Sequence, residues 1–156
     1  MKENPDLVQI SLVLIVDDMP EIGMLVGELL AVHNPDVRVI VVETCKQAVA
    51  MVQEQKFDLV LMDLYLIGES GLDCLAEIRR INPELPVVML TAEYDKAIMR
   101  QCYAADADDY LIKMNAPRYL PHVVVSAIER RRETLAVEKS KEQRIETLNE
   151  LSELTG

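Results

Sequence analysis

Five polar residues stand at the C-terminal ends of short apolar runs. Asp17 and Asp18 follow LVLIV from Leu12, Asp63 follows FDLVLM from Phe57, Thr91 follows PVVML from Pro86, and Lys113 follows DYLI from Asp109. Singly each has an ordinary reading: an Asp after a strand caps the next helix, a Thr ends a strand, a Lys is solvated. Together they describe chemistry. If the runs are neighbouring parallel strands, about 4.8 Å apart, the carboxylates of Asp17, Asp18 and Asp63 meet at one sheet edge. At an effective dielectric near 20, two carboxylates about 5 Å apart repel by roughly 3 kcal/mol, so a cation must compensate. An all-oxygen donor set with room for water and a phosphoryl oxygen suits Mg²⁺. Sulfur and imidazole are missing from this edge, which argues against zinc. His33 and His122 fall in helix or loop regions and read as structural or surface residues.

The elements that position these groups are legible. A fifth run, VRVIVV from Val37, joins the other four; most are continuous rather than alternating, the pattern of strands covered on both faces. Helix signals fill the gaps. Glu21 to Val32 places Ile22, Leu25, Leu29 and Val32 at helical spacing after Pro20. Thr44 and Gln47 form a capping box for a helix carrying Ala48, Met51 and Val52. Gly71 to Ile81 aligns Leu72, Leu75 and Ile78 and stops at Asn82-Pro83, and Asp95 caps a helix over Ile98, Met99 and Cys102. Strand and helix alternate five times, which specifies a doubly wound α/β fold with a five-stranded parallel sheet. Ligands on such sheets bind at the carboxyl ends of the strands, where the five polar residues lie.

Charge narrows the function further. The 156 residues carry a formal charge of -11, unsuited to neutralising nucleic-acid phosphates or docking on anionic lipid. One Phe and no Trp make a base-stacking surface improbable. No apolar run is long enough to cross a bilayer, and the N-terminus lacks the apolar core of a signal peptide, so a cytoplasmic protein is expected. The three cysteines, Cys45, Cys74 and Cys102, are odd in number with no close pair. They read as small buried apolar residues rather than a disulfide framework or thiolate site.

The set DD after the first strand, MDL at the third, LTAE at the fourth and DDYLIK at the fifth resembles the receiver domain of two-component response regulators, over about residues 10 to 132. The resemblance implies a flavodoxin-like (βα)5 fold. It implies that Asp63 accepts a phosphoryl group from a phosphohistidine on a sensor histidine kinase or phosphotransfer protein. Asp17, Asp18, Asp63 and the backbone carbonyl of Tyr65 would hold Mg²⁺, and Lys113 and Thr91 would contact phosphoryl oxygens. Tyr110 matches the switch aromatic that moves inward when Thr91 is drawn to the phosphoryl group, although ordinary sheet packing also accounts for it. Such a chain catalyses its own phosphorylation and dephosphorylation and need not turn over any other substrate. Three departures stand out: Met114 follows Lys113 where many receivers have proline, Ile67 replaces a common proline, and Asp106 occupies the usual glycine before the fifth strand. None removes a catalytic group.

Rival readings fare worse. A flavin mononucleotide site needs a Ser/Thr/Gly-rich phosphate loop after the first strand, where this chain has DDMPE; a haloacid-dehalogenase-type phosphatase needs a second Asp two residues after its nucleophile, where Tyr65 stands; a nucleotide-binding GxxxxGK loop is lacking. A pseudo-receiver that works through protein contacts without phosphorylation is the nearer alternative, disfavoured by the presence of Asp63, Lys113 and Thr91.

Residues 123 to 156 hold no Pro, and no Gly before the last position, and are expected to form one long helix. Residues 1 to 128 carry -10 of the net charge, so the acidity belongs to the α/β unit. Along the tail, apolar spacing holds for Val124, Ile128 and Leu135, fails through EKSKEQR and resumes at Ile145, Leu148, Leu151 and Leu154. Glu138, Glu142, Glu146 and Glu150 repel at i, i+4. A homodimer through a coiled coil is one reading and a solvated extension the other. SAIERRRETLAVEKSKEQRIETL resembles the linkers that join receivers to PAS, histidine-kinase or diguanylate-cyclase modules, and LSELTG the start of a cyclase domain. The expected organisation is an extension over residues 1–9, a receiver over 10–132, and a helical linker over 133–156 leading to an output module.

Overall fold

The computed structural model describes residues 9–155. The expected N-terminal extension, apart from Gln9, and the final Gly156 lie outside the described residues. Five strands build the main sheet: β1 (Leu12–Val16), β2 (Arg38–Val42), β3 (Leu59–Asp63), β6 (Val87–Thr91) and β7 (Asp109–Ile112). They lie in the order β2-β1-β3-β6-β7, every pair parallel. Two short strands, β4 (Tyr65–Leu66) and β5 (Glu69–Ser70), form an antiparallel hairpin after β3. Helices α1 (Pro20–His33), α2 (Cys45–Glu54), α3 (Gly71–Ile81), α4 (Lys96–Ala104) and α5 (Ala116–Thr155) complete the doubly wound fold.

Period-two side-chain alternation splits the apolar runs between two cores. Leu14, Val16, Val60, Met62, Val87 and Met89 pack with residues of α2, α3 and α4 on one face. Val13, Ile15, Leu59, Leu61, Val88 and Leu90 pack with α1 and the first part of α5 on the other. The central strands β3 and β6 are buried along their whole length, which explains their unbroken hydrophobicity. Local signals behave as expected: Thr44 and Gln47 form the complete capping box, and Asp95 accepts hydrogen bonds from the amides of Ala97 and Ile98.

The structure corrects three expectations. The stripe read on α1 is only half of its packing face: Leu29 packs against the core and Ile22 is half-buried, but Leu25 and Val32 are 59% and 70% exposed, while Gly23, Val26, Gly27 and Leu30 are buried. The glycines let the helix settle onto β2, since a Cβ on Gly23 would lie 2.7 Å from a methyl of Val41. Hydropathy does not register a contact made by absent side chains. Second, α5 starts at Ala116 rather than Val123 and runs through Pro121, giving up one backbone donor near its N-terminal end. Third, Cys45 and Cys74 are not independent: their sulfurs pair across a Cα separation of 5.5 Å, because α2 and α3 lie side by side. Their burial, and that of Cys102, is as expected.

The last buried residue of α5 is Arg131. Its guanidinium binds Asp108 at 2.8 Å and Asp106 at 2.8 Å, while Arg79 of α3 binds Asp108 at 2.7 Å. Asp106 adopts a φ of 70°, the left-handed conformation for which glycine is otherwise favoured, and its carboxylate and carbonyl both serve these arginines. Beyond Arg131 the helix leaves the domain. Val137, Ile145, Leu148, Leu151 and Leu154 on that extension are all more than half exposed.

Candidate functional site

Strand register brings the carboxylates together. Val16 pairs with Met62, so one further step sets Asp17 beside Asp63 at the carboxyl edge. The side chains of Asp17, Asp18 and Asp63 offer oxygens that all lie within 4.8 Å of one another. On the other side, Asp63 pairs with Leu90 and Thr91 with Ile112, which puts Thr91 and Lys113 one position beyond.

Asp17 is fully buried and Asp63 nearly so. Lys113 supplies the local cation, its ammonium donating to Asp17 at 2.9 Å and to Asp63 at 3.0 Å. The other oxygen of Asp17 accepts from the amide of Met19 at 2.9 Å, and that of Asp63 from the amide of Tyr65 at 3.3 Å. Burial pushes the Asp63 carboxyl above the ordinary 3.8; Lys113 draws it back down and the Asp17 charge adds to the rise. Burial also works against the Lys113 cation, but its hydrogen bonds to the two carboxylates carry its pKa above the ordinary 10.5.

This donor set fits a hard divalent cation. Three carboxylates share one edge and a single ammonium pairs with two of them, so two of the three negative charges stay uncompensated, and among the described residues Asp18 has no cation at bonding distance. All the side-chain donors are oxygens. The β3–α3 connection closes tightly over the same point: Gly71 packs its Cα against the Asp63 carbonyl, where a Cβ would overlap it. Tyr65 keeps its backbone in the site and points its side chain out, 63% exposed.

Thr91 and Tyr110 are close but not in the carboxylate cluster. The Thr91 hydroxyl donates to the carbonyl of Glu93 at 3.2 Å, and the Tyr110 hydroxyl donates to the same oxygen at 2.9 Å. Tyr110, half-buried, lines a cavity of about 420 Å³ with Tyr94, Met99, Tyr119 and His122. Sequence reasoning did not find the Glu93 carbonyl, since a backbone acceptor leaves no residue-type signal. It also missed Glu69, whose carboxylate accepts from the amide of Cys45 at 2.8 Å. Met19, Ile67 and Met114 follow the site residues closely in sequence and are 53%, 83% and 84% exposed, an apolar setting beside a charged pocket.

Comparison with known proteins gives one consistent answer. The family described as response regulator receiver domain matches residues 13–125. The chain is 35% identical over 108 residues to the DNA-binding response regulator MtrA of Mycolicibacterium smegmatis, covering 69% of this chain and 46% of that protein. It is 38% identical over 118 residues to the sensor protein GacS of Pseudomonas syringae pv. syringae, covering 72% of this chain and 13% of that one. The chain spans about half the length of several curated relatives it matches. Among solved structures, the beryllofluoride-activated receiver domain of DrrB superposes with a TM-score of 0.62 at 26% identity, covering 80% of this chain and 99% of that one. A CheY-like receiver from Methanospirillum hungatei superposes with a TM-score of 0.70 at 22% identity, covering 81% and 99% respectively.

Proposed function

Because the chain belongs to the response regulator receiver domain family of two-component systems, we propose that Asp63 is its phosphoacceptor and that the reaction depends on Mg²⁺. The observation that carries this reading is the convergence of Asp17, Asp18 and Asp63 within 4.8 Å, with Lys113 bridging two of them.

Asp17, Asp18, Asp63 and the carbonyl of Tyr65 are the ligands for the metal. When bound, Mg²⁺ neutralises charge on phosphoryl oxygens. An oxygen of the Asp63 carboxylate attacks phosphorus in line, forming an acyl-phosphate bond as the P–N bond to the donor imidazole breaks. Lys113 already reaches Asp63 at 3.0 Å and needs only a short displacement to pair with a phosphoryl oxygen. Thr91 donates its hydroxyl to another phosphoryl oxygen and releases the Glu93 carbonyl. Tyr110 then follows inward, and the change reaches the faces of β7 and α5.

The donor we infer is a phosphohistidine on a histidine kinase or phosphotransfer protein. The exposed Met19, Ile67 and Met114 support a protein docking over the pocket, because they offer apolar contact next to the charged centre. We assign residues 10–132 to the receiver and 133–156 to a helical linker that reports its state. Burial along α5 ending at Arg131 supports that division. The linker pairs with a second copy in a homodimer, a reading supported by the exposure of Ile145, Leu148, Leu151 and Leu154. No helix among the described residues is long and apolar enough to cross a membrane, in keeping with a cytoplasmic site of action.

The test is Mg²⁺-dependent uptake of beryllofluoride, followed by ¹⁹F NMR, and of phosphate from a small acyl-phosphate donor. Wild type should respond to both and Asp63→Asn to neither. A silent wild type, or a response that persists in Asp63→Asn, overturns the reading and leaves the phosphorylation-independent interaction module.

A further inference from the structure

We propose that Cys45 and Cys74 form a redox-responsive clamp that governs how firmly the β3–α3 connection is held beside Asp63. Its predicted effect on metal affinity rests on the phosphoacceptor reading, whereas its effect on the loop does not.

The two cysteines are placed at the roots of the elements that meet there. Cys45 is the first residue of α2 and Cys74 lies in the first turn of α3. Their Cα atoms are 5.5 Å apart, within the range that disulfides adopt, and their sulfurs are joined. A second tie runs in parallel, from the amide of Cys45 to the carboxylate of Glu69 at 2.8 Å. Glu69 belongs to β5, which pairs with β4, so Tyr65 lies opposite Ser70 and Leu66 opposite Glu69. Ser70 in turn caps α3, accepting from the amide of Leu72 at 3.1 Å. The amide of Tyr65 bonds Asp63, and Gly71 abuts the Asp63 carbonyl. The bridge and the Glu69 bond therefore both tether the segment that runs from Asp63 through Tyr65 to Gly71. With the bridge open, the Glu69 hydrogen bond and side-chain packing alone hold α2 to that segment.

Reduction requires a dithiol. One of its thiolates attacks a sulfur of the bridge, the S–S bond breaks and the other cysteine leaves as a thiolate. The second thiol of the reductant then resolves the mixed disulfide. The protein gains two electrons and two protons, and the reductant departs as its own disulfide. A disulfide oxidant reverses the exchange. Cys45 favours this chemistry, because it sits at the positive end of the α2 dipole, which stabilises a thiolate even though the amides of Cys45 and Gln47 are already bonded to Glu69 and Thr44. It is also the less buried of the pair, 6% exposed against 1%. Cys102 is an internal control, fully buried in the core and with its thiol pushed up by that burial.

The full chain, incubated with oxidised glutathione or with dithiothreitol, is compared by thiol alkylation and mass spectrometry, hydrogen exchange, and Mg²⁺-dependent beryllofluoride uptake. The oxidised form should show one alkylatable thiol after denaturation, and the reduced form all three. Amides of residues 65–71 should exchange about tenfold faster when reduced, and half-maximal beryllofluoride uptake should need about threefold more Mg²⁺. The Cys45→Ser/Cys74→Ser variant should behave as the reduced form under both conditions, and Cys102→Ser should keep the full response. Three free thiols in the oxidised sample, or equal loop exchange in both forms, overturns the clamp. A redox-dependent loop in a protein that takes up no beryllofluoride leaves the clamp standing and defeats the phosphoacceptor reading instead.

Discussion

Thr91 and Tyr110 donate to one and the same acceptor, the carbonyl oxygen of Glu93, at 3.2 and 2.9 Å. A carbonyl has two lone pairs and can satisfy both. The shared acceptor links a side chain at the edge of the pocket to one that lines the cavity between β7, α4 and α5, so moving Thr91 changes what holds Tyr110. On adding beryllofluoride and Mg²⁺, we expect the Tyr110 ring resonances to shift as its hydroxyl leaves Glu93. Thr91→Val removes the donor, and acyl-phosphate incorporation should slow about tenfold, the loss of one hydrogen bond in the transition state. Unchanged Tyr110 resonances in the activated wild type count against the coupling.

Asp63 is held at a cost to the resting fold. Its carboxyl titrates above the ordinary value in the native state because it is buried, with the Asp17 charge adding to the effect despite Lys113. The native protein thus binds this proton more tightly than the unfolded chain does. Without metal, the Asp63 contribution to stability should fall as pH rises through the native pKa, the reverse of a salt-bridged surface aspartate. Asp63→Asn should raise the metal-free stability at neutral pH by about 1 kcal/mol, measured by urea unfolding, while abolishing phosphoryl uptake. A clear loss of stability contradicts this balance.

Gly71 is irreplaceable for a steric reason. A Cβ there meets the carbonyl of Asp63, a backbone atom that cannot rotate away. Gly71→Ala should cost about 1–3 kcal/mol and weaken Mg²⁺ binding as the connection lifts. Calorimetric titration of Mg²⁺ on the variant would show it; wild-type affinity with wild-type stability would not fit.

Arg131, the last buried residue of α5, fastens the helix to Asp106 and Asp108. Asp108 is almost wholly buried and receives Arg131, Arg79 and the amide of Val87. Removing one arginine strands part of a buried carboxylate, so Arg131→Ala should destabilise by about 3 kcal/mol. Arg131→Lys keeps the charge but loses the fork and should recover only part of that. A loss below about 1 kcal/mol for Arg131→Ala would mean that Arg79 suffices.

The exposed leucines of the extension should seat a second copy. Truncation after residue 132 retains Arg131 and is expected to yield a folded monomer that still takes up beryllofluoride, whereas the full chain should sediment as a dimer. Equal association of the two in analytical ultracentrifugation would remove the helix as the contact.

The architecture was readable because it is written in local periodicity. Uninterrupted apolar runs, a capping box at Thr44 and Gln47, and turn residues at Asn82-Pro83 each act over a few neighbouring residues, so a linear reading recovers them. The grouping of Asp17, Asp18, Asp63 and Lys113 was legible for a related reason: in a parallel sheet the carboxyl ends of all strands share one edge, where Thr91 also lies although it bonds Glu93 instead. Asp106, which stands where the resemblance has a glycine, adopts the left-handed conformation that a glycine would favour.

What escaped depends on distances between elements. The packing face of α1 includes, beside Val26 and Leu30, Gly23 and Gly27, whose contribution is the absence of a side chain and shows only against Val41 and Val39. The Cys45–Cys74 pair is 29 residues apart in sequence and adjacent only because α2 and α3 lie side by side. The Arg79, Asp106, Asp108 and Arg131 cluster joins three parts of the chain that carry no common motif. By itself the sequence determined the five strands of the main sheet, the helices between them, their order and the residue types at the carboxyl edge, because those follow from side-chain type and short-range spacing. Only the tertiary structure decided which helix faces pack, which charges neutralise one another and where α5 leaves the domain, because these are set by three-dimensional distance, which does not track separation along the chain.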